Sequence, residues 1–150
     1  MTDVRFYHLT RGSLETALPV MLERTLARGQ KAVVQCGSDD RAEALANHLW
    51  TYSEQNFLPH GTARDGRPED QPIWLTAADK AAPNGAEVLF LTDGAQSTHI
   101  EAYDLCAVLF DGKDEEALAA TRVQWRDLTE AGQDLTYWQQ DDQGSWAQKQ

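Results

Sequence analysis

Three runs in this chain are apolar almost without interruption: the centre of residues 31–36, then 88–92, then 103–110. A strand that is apolar on both faces has no side for water, so it must lie inside a sheet covered above and below. Buried parallel strands read this way. Between and around these runs the spacing changes to the helical period. Leu14, Leu18, Met21, Leu22, Thr25 and Leu26 recur at that period over 13–28, and Gly29 closes the segment. Pro19 lies inside it, which predicts a kink or a late start. Gly37-Ser38 caps a second helix through about residue 52, with Ala42, Leu45, Ala46 and Leu49 inward. A third helix is expected over 113–131, ending at Gly132. Residues 4–9, 73–76 and 135–140 complete the strands. A 141–144 turn then leads into Ser145-Trp146, and Pro83-Asn84-Gly85 forms a turn between strands. The alternation predicts an α/β fold: one domain over 1–150, an open, largely parallel twisted sheet with helices on both faces.

The stretch 53–71 fits neither period. Phe57 and Leu58 are its large apolar side chains, and 61–68 is turn chemistry. A loop this long in a compact domain is functional or mobile. Hydrophobic residues at 41% and charged residues at 25% are ordinary for a soluble domain. Thirteen Lys+Arg against 24 Asp+Glu leave a net charge of −11. That balance argues against a general nucleic-acid or anionic-membrane binder, because phosphate affinity rests on basic surface and released counterions. No apolar run approaches a membrane span, and the first residues lack a signal-peptide layout. Cys36 and Cys106 sit within apolar runs, as reduced core thiols of a cytoplasmic protein do.

Catalytic chemistry is sparse. The first strand–helix turn, Thr10-Arg11-Gly12-Ser13, carries one glycine where a dinucleotide fingerprint needs three, and no G-x-x-x-x-G-K-[ST] occurs. The histidines are scattered and no C-x-x-C is present, so neither a metal nor a cofactor is expected. Asp93-Gly94 and Asp111-Gly112 follow strands. Two aspartates at strand carboxyl ends would suit Mg²⁺ in a small α/β enzyme or nucleotide-binding protein, and equally the ordinary work of turns and caps. In the third helix Ala117, Leu118, Thr121, Trp125 and Leu128 form an inward stripe, bordered by Arg122 and Arg126 four residues apart. Two guanidiniums beside an indole are the parts of a receptor for a carboxylate and an aromatic ring. They are also compatible with a surface ion pair over a core tryptophan. Trp50 and Phe57 make either an exposed partner patch or a fastening for the loop. Trp138 and Trp146 read as packing around the final turn.

Several segments in order resemble one family. Val-Arg-Phe-Tyr-His-Leu at 4–9, His48-Leu49-Trp50, Phe57-Leu-Pro-His-Gly61, Phe110-Asp-Gly-Lys-Asp-Glu115, Arg122-x-x-Trp125 and Tyr137-Trp138-Gln139-Gln140 are together similar to the chi subunit of bacterial DNA polymerase III. The resemblance implies a nucleotide-binding-like α/β fold without a phosphate loop, and a non-catalytic accessory subunit of the holoenzyme in DNA replication. It also implies two partners, the psi subunit of the clamp loader and the acidic, phenylalanine-ended C-terminal tail of single-stranded-DNA-binding protein. Position by position, the tail site falls on Arg122, Trp125 and Arg126, and the psi-facing surface on Trp50 and Phe57. No tight DNA binding by the chain itself is expected.

Overall fold

A computed structural model describes residues 2–143 and 145–150. In chain order the elements are β1 (Asp3–Leu9), α1 (Leu14–Ala27), β2 (Ala32–Gln35), α2 (Asp39–Thr51), β3 (Ile73–Thr76), β4 (Val88–Leu91), β5 (Leu105–Asp111), α3 (Glu115–Glu130), β6 (Asp134–Gln140) and β7 (Trp146–Gln148). One sheet holds the strands in the order β3-β2-β4-β5-β1-β6-β7. All pairings are parallel except β6 with β7. The expected α/β architecture is thus present, an open and mostly parallel sheet.

The two faces carry separate cores. Leu18, Leu22, Leu45 and Leu49 of α1 and α2 pack with Val34, Leu75 and Leu109 on one face. Trp125, Leu118 and Leu128 of α3 pack with Phe6, Leu89 and Val108 on the other. β2 and β4 are buried at every position, β4 with an unbroken apolar sequence and β2 with one polar residue, Gln35, whose side chain donates to the Gln96 carbonyl at 2.8 Å. α2 buries the four residues its period predicts, and the Ser38 side chain accepts from the Arg41 backbone N–H at its start. Element ends shift by a residue or two from expectation, and two of the shifts have visible causes. α3 begins at Glu115, because Asp114 accepts from the N–H groups of Glu116 and Ala117 and so stands outside the helix as its cap. β5 begins at Leu105, after a 3₁₀ turn at Ile100–Ala102.

Pro19 neither breaks nor delays α1, which runs from Leu14 to Ala27. Proline lacks the N–H that would bond the Glu15 carbonyl four residues back. The ring of His48 on α2 supplies the missing donor, its Nε2 lying 2.7 Å from the Glu15 carbonyl oxygen. A buried tie lies in the 77–87 crossover. Asn84 donates to the Ala32 and Gln71 carbonyls at 3.1 and 2.9 Å and accepts from the Ala86 N–H at 3.2 Å. Both cysteines are buried and free, and burial pushes their thiols up to about 11 for Cys36 and about 12 for Cys106.

His48 and Pro19 are therefore coupled. His48→Ala should cost about 1 kcal/mol of stability by orphaning one carbonyl. In a Pro19→Ala background residue 19 recovers its own N–H, and the same His48 substitution should cost measurably less. A double-mutant cycle by urea unfolding checks this, and equal costs in both backgrounds would contradict the coupling.

Candidate partner-binding site

β1 and α3 build the candidate site together. Side chains alternate across β1, so Phe6 and His8 point to the α3 side while Tyr7 and Leu9 point to the other. With Phe110 from β5, Tyr137 from β6, and Leu118, Thr121, Arg122 and Trp125 from α3, they line an open cavity of about 350 Å³. Its walls are largely aromatic. Phe6 meets Trp125 edge-on at 5.1 Å, Trp125 meets Tyr137 at 6.2 Å, and His8 stacks on Phe110 at 5.0 Å. Trp125 is half-buried, so it serves both as core and as cavity wall.

Arg122 is exposed and brings the one charged side chain to this lining. Neither Arg122 nor Arg126 makes an ion pair among the described residues. The surface-pair reading of Arg122 is therefore not what the structure holds. Arg126 is also exposed but stands outside the cavity lining, one helical turn further along α3. Burial raises the Tyr137 phenol above its ordinary value, and the nearby Arg122 guanidinium works against that rise. The inward stripe of α3 also includes Gln124, which is buried and reaches the Ala95 carbonyl.

His8 was not singled out by the sequence, since its place in a strand hides its partners. Its Nδ1 is hydrogen-bonded to the Tyr137 hydroxyl, 129 residues away. Gly112 presses against the other ring nitrogen so closely that a Cβ there would collide with Nε2. Glycine after Asp111 is thus required by close approach, and Asp111 itself accepts from the Lys113 N–H at 2.9 Å as a turn residue does.

Trp50 and Phe57 come together as an exposed pair. They are 49% and 66% exposed, and their rings stack at 5.8 Å. Leu58, not Phe57, fastens the loop, being 2% exposed. His60 fixes it further, with Nδ1 2.6 Å from the Leu58 carbonyl oxygen and Nε2 2.8 Å from that of Ala46. The patch therefore rests on a held loop.

A cleft of about 540 Å³ opens at the carboxyl ends of β1, β4 and β5, where an α/β sheet of this kind holds ligands. Glu15, Asp93, Asp111, Asp114 and Glu116 line it against the single cation Arg41. Arg41 grips both oxygens of Asp93 at 3.2 and 3.3 Å and reaches Glu15 at 3.3 Å. A phosphate would meet surplus negative charge here. Among the described residues, no three His, Cys, Asp or Glu side chains converge as metal ligands would. Asp93 and Asp111 share the cleft, but one is neutralised by Arg41 and the other is spent on a turn.

Burial holds the His8 imidazole below its ordinary value, with Asp111 opposing. The unfolded chain therefore takes up a proton that the folded chain refuses. The resulting stability is full above the ordinary histidine value and falls as pH drops toward the depressed folded value. His8→Gln should flatten this part of the stability profile between about pH 7 and 5. Thermal unfolding across that range checks it, and an unchanged profile would contradict it.

Residues 1–136 match the family model described as "DNA polymerase III chi subunit, HolC". The probable DNA polymerase III subunit chi of Rickettsia prowazekii (strain Madrid E) is 31% identical over 106 residues, 69% of this chain and 64% of that protein. No helix among the described residues is long and apolar enough to cross a membrane. With the family match running from the first strand into the sixth, the chain belongs to the DNA polymerase III chi subunit family.

Proposed function

We propose that this chain is a non-catalytic accessory subunit of the DNA polymerase III holoenzyme. It links the clamp loader to single-stranded-DNA-binding protein during replication by holding that protein's acidic C-terminal tail. One observation carries the reading: an aromatic cavity lined by a guanidinium without an ion pair and by no acidic side chain among the described residues, in a chain of net charge −11. A terminal phenylalanine ring fits between Trp125, Phe110 and Tyr137. Its α-carboxylate takes the planar fork of Arg122, and Arg126, one turn along, attracts the acidic residues before it. The Trp50–Phe57 pair is proposed as the separate surface for a psi-like clamp-loader component, since a stacked aromatic pair exposed on a held loop is what a protein interface anchors on. A net charge of −11 works against tight binding of DNA by the chain itself.

A hydrogen bond to a charged group contributes about 1.5–3 kcal/mol. Burying one aromatic side chain adds about 1.5–3 kcal/mol. After immobilising a flexible tail, micromolar affinity is the expected scale, about −8 kcal/mol. Isothermal calorimetry with a Phe-ended acidic peptide should show this binding weaken as salt rises. Arg122→Glu should abolish it and Arg122→Lys should weaken it by losing the fork. Deleting the terminal Phe should damage binding as much as the reversal. Full-strength binding by folded Arg122→Glu would move the receptor elsewhere.

Phe57→Ala removes an exposed ring, so its stability cost should stay within about 0.5 kcal/mol. It should leave tail binding intact and weaken capture of the clamp-loader component. A large fall in melting temperature without loss of any partner would make Phe57 a core residue instead.

A further inference from the structure

The opposite face of the sheet carries a second cation-and-indole surface that the tail receptor does not use. Between α1 and the β6–β7 pair runs a groove made of two joined cavities, about 400 and 170 Å³, which share Met21, Arg24 and Trp146. Arg5, Arg24 and Arg28 line it, with Trp138 and Trp146 forming the sheet side. Three of the chain's 13 basic residues thus meet here, while none of the 24 acidic residues lines either cavity. Arg5 is tied to Asp3 at 2.8 Å and lies over the Trp138 ring. Arg24 and Arg28 are exposed, four residues apart, and make no ion pair among the described residues. A cation near the end of α1 suits the helix's negative pole. That effect explains one arginine there, not a groove free of carboxylates in so acidic a protein.

We propose that this groove is a docking site for a short, extended acidic peptide with apolar side chains, presented by a protein partner. The guanidiniums of Arg24 and Arg28 take its carboxylates, and Met21 with Val20, which is 45% exposed, takes its apolar residues. From Thr16 to Ala27 the helix extends about 17 Å at 1.5 Å per residue, and Arg28 caps its end. An extended peptide of about six residues covers that length. Single-stranded nucleic acid has the same charge but fits worse. The Trp138 ring is already stacked on Tyr7 with Arg5 over it, and Trp146 packs at a steep angle against Tyr7, so both indoles are engaged within the sheet face instead of standing free for a base. The strongly negative body also repels a polyphosphate wherever it leaves the groove. The proposal is independent of the tail receptor, which lies across the sheet.

The test uses the full chain and a fluorescein-labelled, C-terminally amidated peptide of alternating Asp and Leu, read by anisotropy. This probe lacks the terminal carboxylate and phenylalanine that the α3 cavity is proposed to need. Wild type and the Arg122→Glu/Arg126→Glu variant should bind it alike. Arg24→Glu/Arg28→Glu should weaken it by at least about tenfold, with Arg24→Gln/Arg28→Gln in between. Both arginines are exposed and unpaired, so unchanged circular dichroism is expected and is checked alongside. Equal binding by the folded α1 variants would overturn the proposal, as would loss in the α3 variant alone. It would also fail if oligothymidylate of matched charge displaced the peptide at lower concentration, or if wild type self-associated through these arginines. None of these outcomes decides the tail receptor, whose binding is read with a different peptide.

Discussion

β1 is the wall on which both faces of this protein depend. It pairs in parallel with β5 along all seven of its residues and with β6 along six. Because side chains alternate, one seven-residue strand supplies Phe6 and His8 to the α3 cavity and Arg5 and Tyr7 to the α1 groove. A slip of one residue would exchange these sets and bury Arg5 where Phe6 now lies, so the register is strongly specified. The parallel partners add the rest: Phe110 opposite His8 on one side, Trp138 opposite Tyr7 on the other. The aromatic boxes on the two faces are thus consequences of one strand placed near the middle of the sheet.

Charge sets the cleft at the strand ends apart from the surfaces on the two helix faces. The cleft at the strand carboxyl ends is the place where an α/β sheet holds phosphate, yet here it is acidic and its one cation is consumed by Asp93 and Glu15. Cations are instead left unpaired on helix faces beside indoles, at Arg122 and Arg126 on α3 and at Arg24 and Arg28 on α1. Each pair is four residues apart, so both guanidiniums of a pair point the same way. A short carboxylate-bearing peptide can meet such a pair without bringing much charge near the rest of the surface.

Much of this was readable from the chain. Unbroken apolar runs marked the buried strands, and the period of α2 named its four inward residues. Arg122, Trp125, Trp50 and Phe57 stood out by type and spacing, and the structure brings each pair together. What stayed hidden depends on partners far along the chain. Pro19 looked like a helix fault because its remedy, the His48 ring, belongs to the next helix. His8 read as one more strand residue until Tyr137 and Gly112 were seen to clasp it. Asn84 passed for a turn residue, although its amide cross-links two carbonyls and an N–H in the interior. The α1 groove needs Trp138 and Trp146 beside Arg24, a juxtaposition set by strand order alone. Periodicity reports which face of an element is inward, not which element it will face.

The chain's five tryptophans provide the most direct measurement of the central claim. Each indole N–H is a separate reporter in an amide-correlation NMR spectrum, and they are spread over both faces of the sheet and the Trp50–Phe57 patch. Titration with a Phe-ended acidic tail peptide should shift the Trp125 indole, together with the backbone signals of Phe110, Arg122 and Tyr137. The Trp50, Trp138 and Trp146 indoles should stay in place. Shifts at Trp50 or at Trp138 and Trp146 with a silent Trp125 would contradict the assignment of the tail to the α3 cavity.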